Sequence, residues 1–272
     1  LVFVSPDSIR PLSQRVRYNS ELQSLDSTIH DYYGMGKGQI ESLNGRKLHD
    51  LGFMGQGMTI AILDAGFMNV DKIPAFKKIN IKGAHNFVAG YDNDVYKEMD
   101  HGTKTLSTIA MNQPTFFVGT APKADFWLLR TEDYLTESSA EEDFWIAAVE
   151  FSDSVGVDVI SSSLGYHGFD DKSMNYRYAD LDGQTAAISK VASRLASKGM
   201  ILINSAGNDG MGTWKKINVP ADAHDILTVG AVSLDRVNAP FSSIGPTADG
   251  RVKPDVMAYG CPNNVVVGRG CI

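Results

Sequence analysis

The sequence predicts an α/β fold: a three-layer sandwich with a mainly parallel central sheet and helices on both faces. Three observations predict it. Short apolar runs alternate with longer stretches of helical periodicity, the pattern of strand–helix–strand units. The first run, Thr59–Asp64, is apolar without polar alternation, as in a strand buried on both faces. The 272 residues are 43% hydrophobic and 21% charged, enough chain and apolar content for one large domain with a sizeable core.

Residues 1–32 are polar, with Pro6, Pro11 and three arginines between Arg10 and Arg17, and read as an N-terminal extension or the tail of a prosegment. The domain proper starts at Tyr33 and occupies 33–272. After Thr59–Asp64 comes a helix-like stretch opening at His101, then a strand over Ala124–Leu129. A helix follows from Glu137 to Ser154. Ser139 and Glu142 form its capping box, and Phe144, Ala148, Phe151 and Val155 recur at helical spacing. Val157–Ser162 is the next strand. Gln184–Lys198 is a helix stopped by Gly199 at C′, and Met200–Ser205 and Ile226–Val232 are strands.

The net charge of −7 and the lack of a dense basic patch exclude a nucleic-acid partner. No apolar run is long enough to span a membrane. The chain opens on Leu rather than Met, so a signal peptide and a prosegment are the natural upstream candidates. Cys261 and Cys271 are spaced either for a small disulfide loop or as two partly buried thiols.

In a parallel sheet, ligands bind beyond the carboxyl ends of the strands. Asp64, the Ser161–Gly165 segment and Asn208 all fall at such ends. Amide hydrolysis needs a nucleophile, a base, a group that orients the base and a donor for the oxyanion. His101 is the candidate base, since a histidine takes and returns a proton near neutral pH. Asp64 is the candidate orienting carboxylate, and Asn208 the candidate oxyanion donor.

The residues also carry a family likeness. Ile-Leu-Asp-Ala-Gly (62–66), His-Gly-Thr (101–103), Val-Gly-Thr-Ala-Pro (118–122), Ser-Ser-Leu-Gly (162–165), Ser-Ala-Gly-Asn (205–208), Thr-Val-Gly-Ala-Val (228–232), Phe-Ser-Ser-Ile-Gly-Pro (241–246) and Lys-Pro-Asp-Val (253–256) occur in order. Together they resemble the subtilisin-like serine peptidases, the subtilases, over residues 33–260. The stretch 124–133 is similar to secreted subtilases of Bacteroidetes-type bacteria.

The resemblance implies a serine endopeptidase that is secreted or at the cell surface, acting on a peptide or protein substrate. Asp64 and His101 would lie within hydrogen-bond reach. Ser162, Leu164 and Gly165 would pair with the substrate backbone, and Ser205, Ala206 and Gly207 would wall the primary specificity pocket. It also implies a cis peptide at Val219–Pro220. The family's nucleophile lies in a Gly-Thr-Ser motif that its spacing places beyond Ile272, and nothing earlier replaces it. The remaining C-terminal segment, possibly as a second chain, is therefore an expected partner, and 33–272 an incomplete catalytic domain. The alternative is a catalytically inactive subtilase-fold protein that binds peptides or partners; an interaction module of an assembly is a third class.

No cofactor is required by this reading. The short stretch Met111–Phe117 lacks the longer loop with which many subtilisins wrap calcium. The insertion His167–Gln184 holds the calcium candidates Asp180 and Asp182. Its other reading is a solvated acidic turn capping the next helix, just as Asp209 reads as a turn residue.

Overall fold

The structure is a computed structural model and describes residues 31–268. Nearly all of the N-terminal extension lies outside these residues. So does Cys271, and with it the question of the Cys261–Cys271 pair.

Seven parallel strands form the central sheet. They are β1 (Thr59–Asp64), β2 (Asn80–Asn86), β5 (Asp125–Arg130), β6 (Val159–Ser162), β7 (Ile201–Ser205), β8 (Leu227–Ser233) and β9 (Val256–Cys261). Their spatial order is β2-β5-β1-β6-β7-β8-β9. A small hairpin, β3 (Asn112–Gln113) with β4 (Phe117–Val118), sits apart from the sheet. The main helices are α1 (Lys37–Ser42), α2 (Gly45–Asp50), α3 (His101–Ala110), α4 (Ala140–Ser154) and α5 (Ala187–Ala192).

β1 is buried along its whole length, as its unbroken apolar run requires. Its side chains alternate between two cores. Ala61 and Leu63 pack with Leu129 and with Trp145, Ala148 and Val149 of α4. Ile60 and Ile62 pack with Phe126, Leu128 and with Leu106 and Ile109 of α3. Residues 265–268 lie across α3: Val265 and Val266 join this second core, and the Val266 N–H donates to Ser107 Oγ at 2.9 Å.

The sequence expectation missed β2 and β9, the two edge strands. β2 is polar and carries Gly83, where the Trp127 ring packs so closely that a Cβ would lie 2.3 Å from it. The α4 capping box does not form. Ser139 makes no side-chain cap, Ser138 Oγ accepts the Ala140 N–H, and Glu142 turns to the Tyr176 hydroxyl, 2.9 Å from both its oxygens. The buried stripe of α4 is Trp145, Ala148, Val149 and Ser152. Phe151 flanks it instead, stacking among Trp127, Phe87 and His85. The helix expected over 184–198 is shorter, because hydrogen bonds to Asp182 and Asp222 hold the chain before it. It then tightens after Ala192 into i→i−3 turns. Gly199, at φ 86°, ends it as expected.

Candidate active site

β1 delivers Asp64 to the carboxyl edge of the sheet with no solvent exposure. Its Oδ1 lies 2.7 Å from His101 Nδ1 and also accepts the Ala65 N–H at 2.8 Å. Its Oδ2 accepts from Thr105 Oγ1 at 3.2 Å. Both carboxylate oxygens are thereby fixed. A carboxylate on Nδ1 places the imidazole proton there and makes Nε2 the basic nitrogen. The His101 side chain is one-quarter exposed, so the pair is open to a cleft on one side.

The turn after β1 and the start of α3 are built around close backbone approach. The Gly102 N–H donates to the Gly66 carbonyl at 2.9 Å, and a Cβ on Gly102 would sit 2.6 Å from that oxygen. Thr103 Oγ1 donates to the Met68 carbonyl. This is the physical content of His-Gly-Thr: the glycine lets the helix start touch the loop, and the threonine ties it there. Thr105 was not anticipated. Its position four residues after His101, on the same helix face, was the available signal.

β6 lies between β1 and β7, with Ser162 in register with Leu63 on one side and Asn204 on the other. Ser162 therefore sits inside the sheet, and its Oγ accepts from Trp145 Nε1 at 3.0 Å in the core. The segment that leaves the sheet is Ser163–Gly165, so the serine at this edge is Ser163 rather than Ser162. Leu164 is buried, and its carbonyl accepts from Asn204 Nδ2. Beyond it, Tyr166 bridges to Val219 through two main-chain hydrogen bonds, of 2.8 and 3.0 Å. The Val219–Pro220 peptide is cis.

At the last residue of β7, Ser205 Oγ accepts the Gly207 N–H, and Ala206 between them is fully buried. Gly207, at φ 108°, has the left-handed backbone that favours glycine, and a Cβ there would meet Ser243 Oγ at 2.8 Å. Gly165 and Gly207 both pack against Asn218. Asn208 is exposed and makes no side-chain hydrogen bond among the described residues. It follows β7, two strands from β1, so strand spacing sets its backbone about 10 Å from that of Asp64. Asp209 is more than a turn residue. It accepts from Asn218 Nδ2 at 2.9 Å and lies 3.8 Å from His167 Nδ1, whose ring stacks on Trp214.

The calcium candidates do not converge. Asp180 pairs with Arg177, and Asp182 caps the turn at Gln184 and Thr185, the acidic-turn arrangement. Among the described residues no group of three or more His, Cys, Asp or Glu side chains is placed to hold a metal ion. Nor is any helix there long and apolar enough to cross a membrane.

Comparison with known proteins matches residues 55–269 to the model of the subtilase family. Subtilisin NAT of Bacillus subtilis subsp. natto and subtilisin E of Bacillus subtilis strain 168 are each 27% identical over 226 residues. Each match covers 82% of this chain and 54% of the relative, so the chain spans about half the length of these curated relatives. The membrane-bound transcription factor site-1 protease of Rattus norvegicus is 27% identical over 81% of this chain and 19% of its own length. Among solved structures, MycP1 with its N-terminal propeptide removed superposes with a TM-score of 0.63 at 20% identity, covering 85% of this chain and 73% of that one. That likeness is one of fold.

Proposed function

The chain belongs to the subtilase family, and from that premise we propose that it carries the acid, base and oxyanion donor of a serine endopeptidase. The observation that supports this best is the fully buried Asp64 carboxylate on His101 Nδ1 at 2.7 Å. His101 Nε2 takes the proton of a serine hydroxyl as its Oγ bonds to the scissile carbonyl carbon. Asp64 holds the tautomer and stabilises the imidazolium. Asn208 donates to the oxyanion as the carbonyl π bond opens. Collapse of the intermediate breaks the C–N bond, and His101 passes its proton to the leaving amine. Water then repeats the sequence on the acyl-enzyme.

The nucleophilic serine is supplied by polypeptide C-terminal to Ile272, either in the same chain or as a second chain. The substrate lies extended beside Ser163–Gly165, with its primary side chain between that segment and Ser205–Gly207. The enzyme works outside the cytoplasm, secreted or at the cell surface.

A fluorophosphonate probe tests the reading. It should label one serine, outside residues 1–272, and His101→Ala should abolish the labelling. If no serine of the folded protein labels, the reading fails and a peptide-binding role takes its place.

A further inference from the structure

Between the two segments proposed to wall the primary pocket lies a side chain that the mechanism does not use, that of Asn218. It touches both wall glycines at once. A Cβ on Gly165 would lie 2.9 Å from Asn218 Cβ, and a Cβ on Gly207 would lie 3.0 Å from Asn218 Nδ2. The planar carboxamide therefore fills the base of the slot between Ser163–Gly165 and Ser205–Gly207, where a long substrate side chain would have to go. Only 6% of Asn218 is exposed, so the slot is closed around it.

The side chain is fixed there. Its Nδ2 donates to Asp209 Oδ2 at 2.9 Å, and the Asn218 N–H donates to the Ala206 carbonyl at 3.3 Å. Val219, next in the chain, is pinned to Tyr166 by two main-chain hydrogen bonds. Nor can the walls part to make room. Asn204, fully buried, donates from Nδ2 to the Leu164 carbonyl at 3.2 Å and to the Ser205 carbonyl at 2.8 Å, which staples one wall to the other. Asn218 Oδ1 is buried with no hydrogen-bond partner among the described residues. A large apolar side chain pressed onto it would bring no donor, and a slot already filled to van der Waals contact resists overpacking. A basic side chain gains little either, because Asp209 Oδ2 is taken by Asn218, with His167 Nδ1 3.8 Å from the same oxygen.

We infer that Asn218, held by Asp209, is the specificity-determining residue of the primary pocket, and that it restricts the site to substrates with a short side chain, alanine or serine in size, on the acyl side of the scissile bond. The inference rests on the protease reading for where the substrate lies. Asp209 acts through Asn218 and is a positioning residue.

The test uses the full-length protein and three peptide substrates that differ only in the residue before the scissile bond: alanine, phenylalanine or arginine. The kcat/KM for alanine should exceed that for phenylalanine by about 10–200-fold. Asn218→Gly empties the slot and should remove most of that preference by raising the phenylalanine value. If Asn218→Gly does not fold, Asn218→Ala carries the same expectation. Asp209→Ala frees the carboxamide and should also relax the preference, whereas Asp209→Asn keeps an acceptor oxygen and should retain it. A wild-type preference for phenylalanine or arginine, or an Asn218→Gly variant with the wild-type ratio, would overturn the inference. Calorimetry with the three acyl-side product peptides needs no turnover. A protein that binds the alanine-ended peptide over the other two but cleaves nothing fails the protease reading alone. One that cleaves all three peptides but prefers phenylalanine fails the inference alone, and one that binds none of them fails both.

Discussion

Asp64 and Asn208 separate two kinds of loss at single residues. Asp64→Asn removes the carboxylate that fixes the His101 tautomer, so turnover should fall about 10⁴-fold in steady-state assays. Asn208→Ala should slow turnover by about 10²–10³. It should leave the melting temperature unchanged, because the side chain is exposed and hydrogen-bonded to nothing described. Gly102→Ala acts differently: its Cβ would meet backbone, the Gly66 carbonyl oxygen at 2.6 Å, which cannot swing aside. It should cost about 1–3 kcal/mol in urea unfolding and displace His101. The acid and base were legible in the sequence because each sits where an apolar run or a helix begins or ends, and their pairing follows from the sheet edge. Thr105, Ser163 and Tyr166 were not. Their place depends on contacts between segments far apart in the chain, which neither periodicity nor a short motif reports.

Legibility among the elements followed burial. β1, β5, β6, β7 and β8 are central strands, and their continuous apolar runs announced them. The edge strands β2 and β9 are half-exposed and read as loop. The helical periodicity places α4, but its buried face centres on Trp145 rather than on Phe144. That ring is fully buried, fills the space over β1 and β6 and donates to Ser162. Trp145→Ala should therefore cost about 3–5 kcal/mol of stability, measured by chemical denaturation. Ser162→Ala should cost less, about 1–2 kcal/mol, by leaving the indole N–H without an acceptor.

The molecule as a whole should lose stability as pH rises from about 4.5 to about 7. Burial raises Glu141 and Glu142 to about 7, against 4.5 in an unfolded chain. Between those values the folded state keeps protons that the unfolded state has released. Unfolding then releases protons, and stability is full below about pH 4.5 and lost progressively up to about pH 7. Asp249, lowered to about 2 by Arg251, works the opposite way but only below its ordinary 3.8. Thermal melts at pH 5 and pH 8 should show the drop, and Glu142→Gln should flatten part of it. The strand order has a further consequence, and it is one of time. β1 is the first central strand to be made, yet its two neighbours are β5 and β6, which end at Arg130 and Ser162. Translation proceeds at about 5–20 residues per second, so β1 waits roughly 5–20 s on the ribosome before its second edge is covered. During that interval the most apolar strand of the sheet is a bare template for other chains, and a holdase that shields the segment around residue 60 until residue 162 has emerged would set the yield of native protein.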